Sequence, residues 1–116
     1  MDPNFIGVEV LSCYEELYKR CLQCYEAAYA RHDYRTHIWY AYICADLGCL
    51  YIHKKLFDPA EKLIQEALEI FEIKMHPDAY ICYQYLGELY QAKGQTKKSQ
   101  EAYLKVRNLR RKHFWR

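Results

Sequence analysis

A chain of 116 residues with 52% hydrophobic side chains, four Gly and three Pro is sized for one domain with a substantial core, which excludes a disordered chain and a loop-rich β fold. Its formal net charge of +2 excludes a global field of the kind that attracts nucleic acid or membrane. The charge is uneven, however: residues 97–116 hold eight Lys or Arg against one acid, Glu101, whereas residues 58–78 hold six acids against Lys62 and Lys74.

The opening Met1-Asp2-Pro3-Asn4 has no basic stretch followed by an apolar one, so no secretory signal is expected. A cytoplasmic or other reducing intracellular compartment is the corresponding expectation. Leu11, Tyr14, Tyr18, Cys21, Tyr25 and Ala28 mark a first helix ending near Arg31. Thr36 is placed to cap a second helix through His53, with Tyr40, Cys44, Leu47, Gly48 and Tyr51 on its inner face. Its apolar stretch, residues 38–52, is interrupted by Asp46 and falls short of the roughly 20 residues a bilayer span needs. That pattern predicts a helix packed on two sides.

A third helix carries Ala60, Leu63, Ile64, Ala67, Leu68 and Phe71 at the spacing of one helical face. Asp58, Pro59 and Glu61 predict its start as a capping box. Pro77 blocks continuation into the fourth helix, which runs from about Asp78 to Ala92 with Tyr83, Leu86, Gly87 and Tyr90 inward and ends at Gly94. The fifth starts near Thr96, which is placed to cap it, carries Tyr103, Val106 and Leu109 on one side and reaches about Lys112. The chain is therefore expected to be all-α, with about five helices joined by short connections.

The helices repeat. Leu47-Gly48-Cys49-Leu50-Tyr51 matches Leu86-Gly87-Glu88-Leu89-Tyr90 at an offset of 39, and Ala60, Ile64 and Ala67 fall on Ser99, Tyr103 and Val106. Going backward, the same three fall on Cys21, Tyr25 and Ala28. These residues resemble the tetratricopeptide repeat (TPR), a helical hairpin with an aromatic, then Leu-Gly-x-x-Tyr, then a small residue, an aromatic and Ala. Tyr83, Leu86, Gly87, Tyr90, Gly94 and Tyr103 carry the resemblance in the last repeat; the middle one keeps Leu47, Gly48, Tyr51, Ala60 and Ala67 but has Cys44 and Ile64 in the aromatic positions. The resemblance implies a short helical-hairpin solenoid in which Gly48 and Gly87 let paired helices approach. Residues 1–116 then form a single domain: a degenerate first unit (11–31), a middle repeat (36–73), a last repeat (78–112) and a basic aromatic tail (113–116). The 39-residue period exceeds the family's usual one. The first unit is expected to lack its first helix, because residues 1–10 are too few for a helix and a turn.

Chemistry-bearing patterns are sparse. Cys21-x-x-Cys24 lacks partners at metal-ligand spacing, and the cysteines at 13, 21, 24, 44, 49 and 82 are expected as free thiols, buried except for Cys49, which the repeat alignment places on the accessible groove face. The histidines at 32, 37, 53, 76 and 113 fall mostly at helix ends. No nucleophile triad order, phosphate loop or His-Glu-x-x-His is present, so no catalytic residues, metal or cofactor are expected and the chain is read as non-enzymatic.

The resemblance implies a partner-binding concave groove made by the first helix of each hairpin, here Tyr42, Ala45, Cys49, Ile52 and His53 with Ile81, Gln84, Glu88 and Gln91. The basic clamp that some family members use for a carboxylate is missing, which favours an extended or helical protein partner with apolar side chains. A second candidate surface is the C-terminal end, with Leu104, Arg110, Arg111, Lys112, Phe114, Trp115 and Arg116. No polar capping helix follows the last hairpin, so partner binding or homo-oligomerisation through uncapped ends is expected. The functional expectation is a protein-interaction scaffold or adaptor, as a small subunit of a larger assembly or a piece of a longer TPR protein. The alternative is a nucleic-acid-associated subunit that contacts phosphates through its basic C-terminal helix and tail.

Overall fold

The computed structural model describes the backbone of residues 3–29 and 34–114 and the side chains of residues 12–27 and 38–114. The described residues form five α-helices: α1 (Pro3–Tyr29), α2 (Tyr34–His53), α3 (Phe57–Ile73), α4 (Ala79–Ala92) and α5 (Thr96–His113). No strand occurs among the described residues, so the chain is an all-α helical-hairpin fold. Among them, no helix is long and apolar enough to cross a membrane. The first helix starts at Pro3, well before Leu11, as one continuous rod with proline in its first turn, where a missing amide costs nothing.

The hairpins α2–α3 and α4–α5 stack so that α2 and α3 both touch α4, while α1 lies on α2. Their common core holds Cys44, Ile64, Phe71, Cys82 and Leu89, all fully buried, and the small Ala41, Ala60 and Ala67 that let helix axes approach. Gly48 lies against Ile64 and Gly87 against the ring of Tyr103, so each glycine is where α2 meets α3 or α4 meets α5. Ser99, at the position of Ala60, is buried and donates its hydroxyl hydrogen bond to the Gly87 carbonyl at 2.9 Å.

The connections explain why side-chain caps, expected at Asp58 and Thr96, are not used. After α2, the Leu56 amide bonds to the Tyr51 carbonyl and the Lys55 amide to the Ile52 carbonyl. After α4, the Gln95 and Gly94 amides make the equivalent bonds to Tyr90 and Gln91. Both are Schellman closures with a left-handed residue, Lys55 (φ 62°) or Gly94 (φ 77°), again 39 positions apart. Each closure returns the chain directly into the next helix, so Leu56 and Gln95 become the N-caps and make no side-chain cap bond. Asp58 ends up inside the first turn of α3, where its charge faces the helix N-terminus. A third closure of the same type, with Met75 at φ 52°, ends α3, and Asp78 caps α4 by position without a side-chain bond. The expected cap Thr36 is two residues inside α2, and its side chain lies outside the described residues.

The tyrosines join neighbouring helices. The Tyr51 hydroxyl donates to Glu15 of α1 at 3.1 Å, and Lys54 pairs with the same carboxylate. One period later, Tyr90 donates to Glu61 of α3 at 3.0 Å and Lys93 approaches that carboxylate at 3.7 Å. The same clasp thus holds each first helix to the second helix before it. Tyr40 to Glu66, at 3.0 Å, and Tyr83 to Glu72 add two further links.

Candidate functional site

The concave groove is narrower than the sequence implies. Ala45 and Ile52 are buried, because α4 packs directly on α2, so they belong to the core and offer no groove surface. Tyr42 is half-buried: its ring meets Phe71 edge-on at 4.9 Å and His76 at 5.9 Å, and its hydroxyl donates to Asp78. Burial and that carboxylate hold its phenol above the ordinary range. Gln84, Gln91 and His53 are exposed, while Ile81, Glu88 and Cys49 are partly so.

What remains on this side is a depression of about 250 Å³ lined by Tyr14, Tyr18, Asp46, Cys49, His53 and Tyr85. Tyr14 and Tyr18 come from α1 and stack at 6.3 Å. Cys49 Sγ lies 4.0 Å from His53 Nε2, one helical turn on. Burial, aided by Glu88 and Asp46, pushes the Cys49 thiol up to about 11, so at neutral pH it is the weakly nucleophilic protonated form. Burial also raises the Asp46 carboxyl, against a hydrogen bond from Tyr85.

All six cysteines are free thiols; of the five expected to be buried only Cys44 and Cys82 are, and Cys49 is partly exposed on the groove side. Cys13 and Cys24 are exposed and Cys21 partly so, because among the described residues the helix that α1 packs on is α2, which leaves the other side of α1 open. Among the described residues, no group of three or more His, Cys, Asp or Glu is placed to hold a metal ion.

At the C-terminal end, Leu104 is 56% exposed and Phe114 54%, and Arg111 and Lys112 are exposed as well. Phe114 does not stand free: its ring meets Tyr80 of α4 edge-on at 5.8 Å, and the Arg110 guanidinium lies over the same Tyr80 ring at 5.8 Å. Trp115 and Arg116 lie outside the described residues. The outward face of this hairpin is more polar than an uncapped repeat would be. Ala45, Ile52, Leu68 and Phe71, which the first hairpin buries, correspond one period on to exposed Gln84, Gln91, Arg107 and Arg110.

A larger concavity, lined by none of the residues expected in the groove, lies between the two second helices, α3 and α5. No Cα of α3 comes within 8 Å of α5 among the described residues, and α4 forms the floor between them. Toward the C-terminus of α5 the groove encloses about 430 Å³ over Phe71, Ala79, Tyr83 and Leu109, with Met75 and Lys112 on its rim. It continues past Tyr83 into a second depression of about 450 Å³ over Leu68, Leu86 and Tyr90. Tyr83 marks the midpoint: its hydroxyl reaches Glu72 of α3, and Lys105 of α5 lies 5.2 Å from its ring centroid. The signal that could have revealed this wall was the seven-residue spacing of Lys98, Lys105 and Lys112, legible only once α5 is known to face α3 across α4.

The chain matches no model of a protein family, no curated protein and no solved structure with which it was compared.

Proposed function

We propose that this chain is a non-enzymatic protein-interaction scaffold of the TPR kind, acting as a small subunit of a larger assembly or as part of a longer repeat protein. The observation that carries the reading is the groove between α3 and α5, where half-buried Tyr83, Tyr90 and Leu109 and exposed Met75 leave apolar surface among charged side chains, a combination that suits a macromolecular segment. Met75, on the rim of the groove and 81% exposed, enlarges the surface that a partner would cover. Six free thiols fit a reducing intracellular compartment.

The test uses the full chain, tagged, in native extract of its source cells, with bound protein quantified against bait. A protein recovered in stoichiometric amount by the wild type and lost by Met75→Glu with Lys105→Glu supports the scaffold reading. Recovery of no protein at stoichiometry, or of nucleic acid whose digestion abolishes all binding, overturns it.

A further inference from the structure

We propose that the depression between α1, α2 and α4 binds a methylated ammonium group, the side chain of a trimethylated lysine on a partner protein. The inference goes beyond the scaffold reading and stands on a different surface from the groove that carries it.

Three helices bring the site together. Tyr14 and Tyr18 lie one turn apart on α1 with stacked rings, Asp46, Cys49 and His53 follow one another at i, i+3 and i+7 along α2, and Tyr85 comes from α4. Tyr14 is exposed and Tyr18, Asp46 and Tyr85 are half-buried, so three aromatic side chains and one carboxylate border a single space of about 250 Å³ that solvent can enter. That volume is below the roughly 300–1,000 Å³ of pockets that enclose a whole small molecule, and it suits the terminus of one side chain.

The charge in this space is negative. None of the residues lining it is Lys or Arg, and His53, which also lines it, is exposed. Burial and then Asp46 raise the Tyr18 phenol; burial, then Glu88 of α4 and Asp46, raise the Cys49 thiol. Both shifts disfavour an anion here, and the same field favours a cation. The Asp46 carboxyl is itself raised by burial, against a hydrogen bond from the Tyr85 hydroxyl, so a bound cation would offset the cost of keeping it charged away from water.

Aromatic side chains attract cations, and methylation makes an ammonium larger and less strongly hydrated, so it gives up its water more readily than a primary ammonium does. A primary ammonium also has three protons to place, whereas the one carboxylate in this space already accepts from Tyr85. A choline headgroup carries the same cation, but its phosphate would stand close to Asp46 and Glu88, which favours the lysine side chain.

The experiment is a nuclear magnetic resonance titration of the isotope-labelled full chain with acetylated trimethyl-lysine amide, acetylated lysine amide, choline, and dimethylbutanol, the uncharged carbon isostere of choline. Trimethyl-lysine and choline are expected to shift the same amide signals, those around Tyr18, Cys49 and Tyr85. Their affinities should exceed those of the unmethylated and uncharged counterparts by roughly tenfold or more. Asp46→Asn and Tyr85→Leu should each weaken the binding of both cations, and Tyr85→Phe, which keeps the ring, should retain it. Asp46→Asn changes charge with little change in volume, so it decides the matter even where Tyr85→Leu costs the fold. Equal binding of choline and its isostere, shifts that map elsewhere, no saturable shift with any cation, or binding that Asp46→Asn leaves unchanged would overturn the inference. So would tighter binding to phosphatidylcholine vesicles than to the trimethyl-lysine derivative, which would give the site to a lipid headgroup. Because these variants leave Met75 and Lys105 in place, failure of this site is separable from failure of the scaffold reading.

Discussion

A Cβ at Gly87 would stand 2.8 Å from Cε1 and Cζ of the Tyr103 ring, whereas at Gly48 it would stand 2.5 Å from Ile64 Cγ1 and 3.1 Å from the Ala60 carbonyl oxygen. The two glycines occupy the same place in successive hairpins, yet their neighbours differ in freedom. Tyr103 is 37% exposed and can swing outward, while Ile64 is fully buried and the Ala60 oxygen is backbone. Alanine gains about 1 kcal/mol of helix propensity over glycine at either site. Gly87→Ala is therefore expected to be close to neutral and Gly48→Ala to destabilise by about 1–2 kcal/mol after that gain. Gly87→Leu, too large for the ring's movement to accommodate, should destabilise by about 2–3 kcal/mol. Thermal melts followed by circular dichroism check the order; equal effects at Gly48 and Gly87 would contradict the packing described.

Lys55 and Gly94 close the two hairpins with the same left-handed backbone, but only one of them is glycine. A side chain in that conformation costs about 1–2 kcal/mol, partly offset by the smaller entropy that lysine loses on folding. Lys55→Gly should stabilise the chain by about 0.5–1 kcal/mol, raising Tm by a few degrees, and Gly94→Lys should lower it by a similar amount. Differential scanning calorimetry of the two variants gives the comparison directly, and a lowered Tm for Lys55→Gly would speak against a strained turn.

Docking of α1 on α2 should be acid-sensitive. The Lys54 ammonium, followed by Lys19 and the Tyr51 hydroxyl, holds the Glu15 carboxyl down to about 2, against an ordinary value of 4.5. A carboxyl that binds protons less readily in the folded state contributes stability that is full above the unfolded value and lost as pH falls through the folded one. The contribution therefore fades between about pH 4.5 and pH 2. Glu15→Gln should melt below the wild type at pH 6 and with it near pH 2, as read from the helical signal at intermediate pH steps. A constant gap across that range would mean that Glu15 acts through packing alone.

The polar outward face of the last hairpin can be reversed. Arg107 and Arg110 occupy the positions of Leu68 and Phe71, the pair through which the first hairpin buries its side toward α4. Arg107→Leu with Arg110→Phe should create an apolar face where none now stands, and light scattering on a sizing column should show self-association at micromolar concentration. A variant that elutes as the wild type does would argue that these positions are not equivalent across the repeat.

The sequence by itself determined the helices, their hairpin pairing and the residues at the closest approaches. Those follow from local periodicity and from a 39-residue repeat that places Gly48 with Gly87 and Tyr51 with Tyr90. The starts of α2 to α5 were legible only to within one or two residues, because the Schellman closures at Lys55 and Gly94 depend on backbone bonds that any side chain can accept, and the start of α1 at Pro3 was missed by eight. The tertiary structure decided which faces remain free. Ala45 and Ile52 became core because α4 lies on α2, and Phe114 found Tyr80 because α5 ends beside the start of α4. The groove between α3 and α5 is likewise a relation between helices that never touch, set by how both pack on α4. A period along one helix shows which side chains share a face; what that face meets is set by contacts between residues distant in the chain.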